Sequence, residues 1–159
     1  MKSGANPVCF NNFAPMEYNS EEELLEVVNG FLDKTLEKHR WTHHAHIITA
    51  IWHLKKYDKD DALCRLRSGI ISYNLAVGGE NNGQNGYHET MTIFWWELIR
   101  QFIELRPTTT FLDACAIFLA SPMAEKTFPF QFYSKENIFS STARSRYVKP
   151  DLRDIKIEL

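Results

Sequence analysis

Four stretches of this chain repeat apolar residues every three or four positions, and each is bracketed by residues that start or stop helices. Side chains at those intervals stack on one face of an α-helix, so a helix can bury them together and a strand cannot. Leu24, Val27, Val28, Phe31 and Leu32 make the first stripe, opened by Ser20 with Glu23 three residues on and expected to end near His39. Gly30 inside it is expected to weaken the helix by ~1 kcal/mol relative to alanine. Ile47, Ile48, Ile51, Trp52 and Leu54 follow Thr42 as N-cap. Asp58 and Asp61 open a third run, Leu63, Leu66, Ile70, Tyr73 and Val77, which Gly78-Gly79 stops. Tyr87, Met91, Phe94, Leu98, Phe102 and Leu105 form the fourth, ended by Pro107. A fifth helix, Phe111 to Ala120, is capped by Thr109 or Thr110 and closed by Pro122.

Beyond Pro122 the rhythm lapses. Phe128 to Tyr133 reads as aromatic and extended, with short helical turns at Glu136 to Phe139 and Thr142 to Arg146, and 151–159 carries no clear pattern. The expected fold is therefore all-α: an antiparallel helical bundle of four to five helices in a single domain over 1–159. An irregular arm at 1–19 precedes it, and an irregular aromatic tail at 123–159 packs on it. With 44% hydrophobic and 13% aromatic residues, 159 residues can fill one core.

Net charge is −2 and the sequence pI about 6.3, which leaves no basic footprint for nucleic acid or an anionic membrane. No apolar run approaches the roughly 20 residues that cross a bilayer, and the start lacks the apolar core of a secretion signal. Cys9, Cys64 and Cys115 are odd in number and form no C-x-x-C pair; reduced thiols are expected, with Cys64 and Cys115 packed in apolar stretches. These features lead to the expectation of a soluble, cytoplasmic protein with no membrane or nucleic-acid partner.

The chemistry is concentrated in histidine. His39, His43, His46 and His53 are spaced by four, three and seven residues, along one side of the second helix region. His43 and His46 have the i, i+3 spacing at which two imidazoles can share an ion, and a bundle can bring His88, from the next histidine motif, against them. Three neutral imidazoles with an open position suit a divalent metal such as Zn, Fe or Ni. Thr92 lies one turn beyond His88, and Tyr87, Glu89 and Thr90 are placed to hydrogen-bond the ligating rings. Glu89 is alternatively a general base or a fourth ligand, although on a helix it points about 100° away from His88. Histidines at helix starts and bundle seams are also common as hydrogen-bonded structural residues, and that alternative stands beside the metal. His44 is expected to be exposed, and His39 and His53 to flank the site.

Other motifs are weaker. Gly78 to Gly86 has neither a preceding strand nor a Lys-Ser/Thr pair, so it is a surface loop and not a phosphate cradle. No G-x-S-x-G is present. Arg67 is expected to be solvated or salt-bridged. Of Trp95 and Trp96, one is expected in the core and one at an interface, where they could border a cavity.

Trp41-x-His43-x-x-His46, followed by an apolar helix and then Tyr87-His88-x-Thr90-x-Thr92, resembles a bacterial family of small uncharacterised helical proteins. The tail is similar too, in Tyr133-Ser134, Phe139-Ser140, Ala143-Arg144 and Pro150-Asp151-Leu152, so the resemblance covers about Trp41 to Leu152. It implies no reaction. It implies that the two histidine motifs and the tail form one unit, with the tail folded over the pocket and Tyr133, Ser134, Arg144 or Asp151 completing the site.

The function expected first is a metal-dependent enzyme, hydrolytic with zinc or oxygen-activating with iron. His43, His46 and His88 are its ligands, Glu89 and Thr92 its catalytic side chains, and Tyr87, Tyr133 and Arg144 its cofactor-binding residues. The second is a non-enzymatic helical module that binds a small molecule or self-associates, a homodimer being a candidate assembly. The third is metal-free acid–base catalysis through His46 or His88.

Overall fold

The computed structural model describes residues 18–157; Cys9 and most of the expected arm at 1–19 lie outside them. The described residues are helical and contain no strand, as the apolar rhythm requires. Five substantial helices are α1 (Glu21–Leu32), α2 (His43–Lys56), α3 (Lys59–Ala76), α4 (Glu89–Glu104) and α5 (Phe111–Leu119). Two single-turn helices follow in the tail, α6 (Lys135–Ile138) and α7 (Ser141–Ser145).

The caps carry most of the boundary information. Ser20 Oγ accepts from Glu23 N–H, and the Glu23 carboxylate reaches back to the N–H of Asn19, one residue before the cap. Thr42, Asp58 and Thr110 cap α2, α3 and α5 in the same way. The first helix stops at Leu32, seven residues before the expected His39. Lys34 there adopts φ 61°, while Thr35 and Leu36 N–H both return to Gly30 O. This is a left-handed C-terminal turn built on lysine instead of glycine. Gly30 is what lets it close: a Cβ there would lie 2.9 Å from Leu36 Cβ. The glycine that looks like a weakness in the sequence is a point of close contact.

Helix α2 is the axis of the molecule. It packs against α1, α3, α4 and α5, so Ala45, Ile47, Ile48, Thr49, Ala50, Ile51 and His53 are all buried, nearly all round the helix. A helix enclosed by four neighbours shows little amphipathic contrast. On one side lies the main core, where Ile48 and Ile51 meet Leu98, Phe102 and Phe118. On the other, Val27, Phe31, Leu36, Ala45 and Tyr73 make a smaller core between α1 and α3. Gly69 on α3 gives room for the Phe31 ring, which a Cβ would approach to 2.7 Å.

The tail supplies core residues. Phe128–Gln131 forms a single 3-10 turn and not the extended segment expected, because Phe132 and Tyr133 N–H fold back onto Pro129 O. That turn delivers Phe132 and Tyr133, 1% and 0% exposed, against Phe94. Farther along, Thr90 Oγ1 on α4 donates to Arg146 O and accepts from Val148 N–H, while Gln101 clamps Ile155 and Ile157. Cys115 is buried, but Cys64 is exposed, contrary to the expectation of a packed thiol. It shares the outward stripe of α3 with Ser68, Ile71 and Leu75.

Candidate functional site

A cleft of about 500 Å³ opens between α2, α3 and α4. Helix α2 contributes His43, His46, Ile47 and Ala50, α3 contributes Leu66, Ile70 and Asn74, and α4 contributes Met91, Thr92, Trp95 and Trp96. Gly86, Tyr87 and His88 close one end, Trp41 borders α2, and Lys126 enters from the tail. His43, His46 and His88 thus come to one space, as the two histidine motifs suggested.

Their ring nitrogens are not equivalent. A backbone carbonyl only accepts, so the nitrogen that faces one must carry the proton, and in a neutral ring the other nitrogen is then bare. His43 donates from Nε2 to Ala124 O at 2.8 Å, leaving Nδ1 bare. His46 donates from Nδ1 to Thr42 O at 2.8 Å, leaving Nε2 bare. His88 donates from Nε2 to Ile138 O at 2.9 Å, and its Nδ1 accepts the Met91 N–H at 3.2 Å as the N-cap of α4. Both nitrogens of His88 are therefore committed to the backbone.

Burial keeps these rings neutral. It lowers the pKa of His43 and His88, and pushes His46 down to about 4, against the opposing pull of the carbonyl each ring faces. His43 meets Trp95 edge to face at 4.9 Å, and the His46 ring lies 3.9 Å from that of Trp41. Trp41 is in turn stacked on Phe31 at 4.6 Å, so the aromatic wall runs from the cleft into the smaller core.

Ligation by His88 would break the cap of α4 or the bond to Ile138, and no three His, Cys, Asp or Glu side chains among the described residues are grouped to hold an ion. The donor set that remains is two nitrogens, His43 Nδ1 and His46 Nε2.

The other expected residues fall into two groups. Tyr87 and Thr92 line the cleft. Their hydroxyl hydrogens are spent, Tyr87 on Glu89 Oε2 and Thr92 on His88 O. Glu89 does not line the cleft; it is held by the Arg67 guanidinium through Nε and Nη2, and by the Tyr87 phenol. Burial and that carboxylate together raise the Tyr87 pKa well above its usual value. Tyr133 is in the core, its hydroxyl donating to Val148 O. Arg144 lies behind the cleft wall and donates to Gly86 O and Tyr87 O, so it positions that wall without lining it. Ser134 and Asp151 bond to each other, also away from the cleft.

His53 is buried instead of flanking, with Nδ1 donating to Thr49 O. His44 is half-buried, and His39 is exposed beside Glu37. Trp95 and Trp96 both line the cleft, and the Trp96 indole donates to Lys59 O. Asn74 and Lys126 are the lining residues that no motif marked. Asn74 reads as one polar residue near the end of a helix, and Lys126 reaches the cleft only because the turn after α5 carries it back.

No family model, curated protein or solved structure matches this chain.

Proposed function

We propose that this protein binds a small organic molecule in the cleft between α2, α3 and α4, with its histidines serving as neutral hydrogen-bonding groups. The observation that carries this reading is the combination of size, wall and polarity. A space of about 500 Å³, walled by Ile47, Leu66, Ile70, Met91, Trp95 and Trp96, also holds an imidazole whose Nε2 has no partner among the described residues. Specific small-molecule sites have this character: a cavity of ~300–1,000 Å³, mostly apolar, with a few oriented polar groups. His46 is oriented by the Thr42 carbonyl, so a ligand would meet a fixed acceptor and no rotamer would have to be frozen on binding.

The test is a fragment screen by two-dimensional NMR on untagged protein. Hits should perturb the amides of Ala50, Met91 and Thr92 together with the Trp95 indole signal. Ile70→Trp, which fills the cleft, should abolish those perturbations while far-ultraviolet circular dichroism stays unchanged. Hits that scatter over the surface, or survive Ile70→Trp, would overturn the proposal.

The metal-dependent hydrolase or oxygenase is the competing reading, and it would rest on His43 and His46 with His88 released from its cap. Elemental analysis separates the two. Stoichiometric Zn, Fe or Ni in untagged protein, lost in both His43→Ala and His46→Ala, would displace the ligand-binding reading in favour of the metal.

A further inference from the structure

We infer that the ligand is a planar aromatic molecule that presents an N–H or O–H group to His46 and carries a carboxylate toward Lys126. This rests on the small-molecule reading of the cleft and extends it to ligand chemistry. Three observations carry it.

The first is the balance of hydrogen-bonding groups. Thr92 and Tyr87 have given their hydroxyl hydrogens, to His88 O and to Glu89, and Asn74 has given one amide hydrogen to Asn81 Oδ1, while the Trp41 Nε1–H beside the cleft is buried without a partner among the described residues. On the accepting side, His46 Nε2 and His43 Nδ1 have no partner among the described residues and sit on rings whose other nitrogen is tied to a carbonyl. A desolvated acceptor without a partner costs about 1–3 kcal/mol, so a ligand that donates recovers what one that only accepts cannot.

The second is charge. Among the described residues that line the cleft, Lys126 is the one charged side chain, and it stands exposed at the rim beside His43. No carboxylate among the described residues lines the cleft, because Glu89, the nearest in sequence to the lining residues Tyr87 and His88, is held outside it by Arg67. An anionic group at the mouth therefore meets an ammonium, and a cationic ligand meets repulsion.

The third is the state of the aromatic wall. A cage for an organic cation needs open ring faces. The Trp41 ring is already stacked with Phe31 and with His46, and Trp95 is engaged edge to face by His43 and Phe94. The rest of the wall is apolar: Ile70, Leu66 and Met91, with the Trp96 ring beside them. A rigid aromatic ring buries a large area against such a wall at low conformational cost.

Four indole probes of nearly equal shape separate the features: indole-3-acetate, 3-methylindole, tryptamine and 1-methylindole-3-acetate. Their affinities are read by NMR titration at Met91 and the Trp95 indole. Indole-3-acetate should bind about tenfold more tightly than tryptamine and than its N-methyl counterpart, with 3-methylindole between. Lys126→Met should remove the preference for the acetate over 3-methylindole and leave the cost of N-methylation in place. Equal binding of tryptamine, or indifference to N-methylation, would overturn this inference while the cleft remained a small-molecule site. The inference also fails if library fragments bind the cleft and none of the indoles does. No perturbation of these signals by any probe or fragment would remove the small-molecule reading itself.

Discussion

Histidine decides the chemistry of this protein one ring at a time. Four of its imidazoles, His43, His46, His53 and His88, face backbone carbonyls, and burial lowers the pKa of each. In the unfolded chain a histidine titrates near pH 6.5, so acid favours unfolding through every ring that stays neutral when folded. Their contribution is complete above pH 6.5 and is lost as pH falls toward the lowered values, about 4 for His46. The urea midpoint should hold level from pH 8 to 7 and then drop. In the steepest region each ring should cost up to ~1.4 kcal/mol per pH unit. A midpoint flat from pH 7 to 5 would contradict neutral burial. A second residue-scale expectation concerns Thr49, whose Oγ1 is buried without a hydrogen-bond partner. Thr49→Val keeps the shape and removes the unpaired hydroxyl, so it should raise stability by about 1 kcal/mol. A lower melting temperature would show that the hydroxyl is satisfied.

At the scale of elements, caps and close approaches outweigh propensity. His88 caps α4 through Nδ1 and grips the tail through Nε2 at once. His88→Ala should cost ~1 kcal/mol for the cap and more for the stranded Ile138 carbonyl. His88→Asn should restore the first part only. Chemical denaturation of the two variants separates the terms; equal losses would mean that the cap bond contributes little. Gly30→Ala reverses the usual expectation for a glycine in a helix. Propensity predicts a gain of ~1 kcal/mol. The contact with Leu36 Cβ, at 2.9 Å, predicts a loss of about 1–3 kcal/mol through overpacking. Gly83→Ala, with open space around it, is the control and should change little.

Across the whole molecule, the tail and the bundle are one cooperative body. Ala124, Phe132, Tyr133, Ile138 and Ala143 are all buried, and Thr90 and Gln101 of α4 hold the chain that follows them. Ending the chain after Ala120 should therefore collapse the cooperative melting transition, and not merely abolish ligand binding. A truncated protein with an intact, sharp transition would contradict this. No helix among the described residues is long and apolar enough to cross a membrane.

Local rules made much of this legible in advance. Helix existence, four of the five side-chain caps on the long helices and the glycine stop after α3 follow from residues within a turn of one another. So does the pairing of His43 with His46, which one helical turn sets. The end of α1 was not legible, because it depends on Leu36 folding back on Gly30. Nor was the 3-10 turn at Phe128–Gln131, where tertiary burial of Phe132 and Tyr133 overrides an extended-looking pattern.

What the amino-acid order determined by itself is the set of helices and the histidines they carry, since both rest on interactions between near neighbours. Only the packed structure decided which nitrogen of His43 and of His88 bears a proton, because the carbonyls of Ala124 and Ile138 stand 81 and 50 residues from the histidines they hold. Charge placement at the cleft, with Glu89 withdrawn by Arg67 and Lys126 brought in by the tail, is likewise a product of distance in sequence closed by burial.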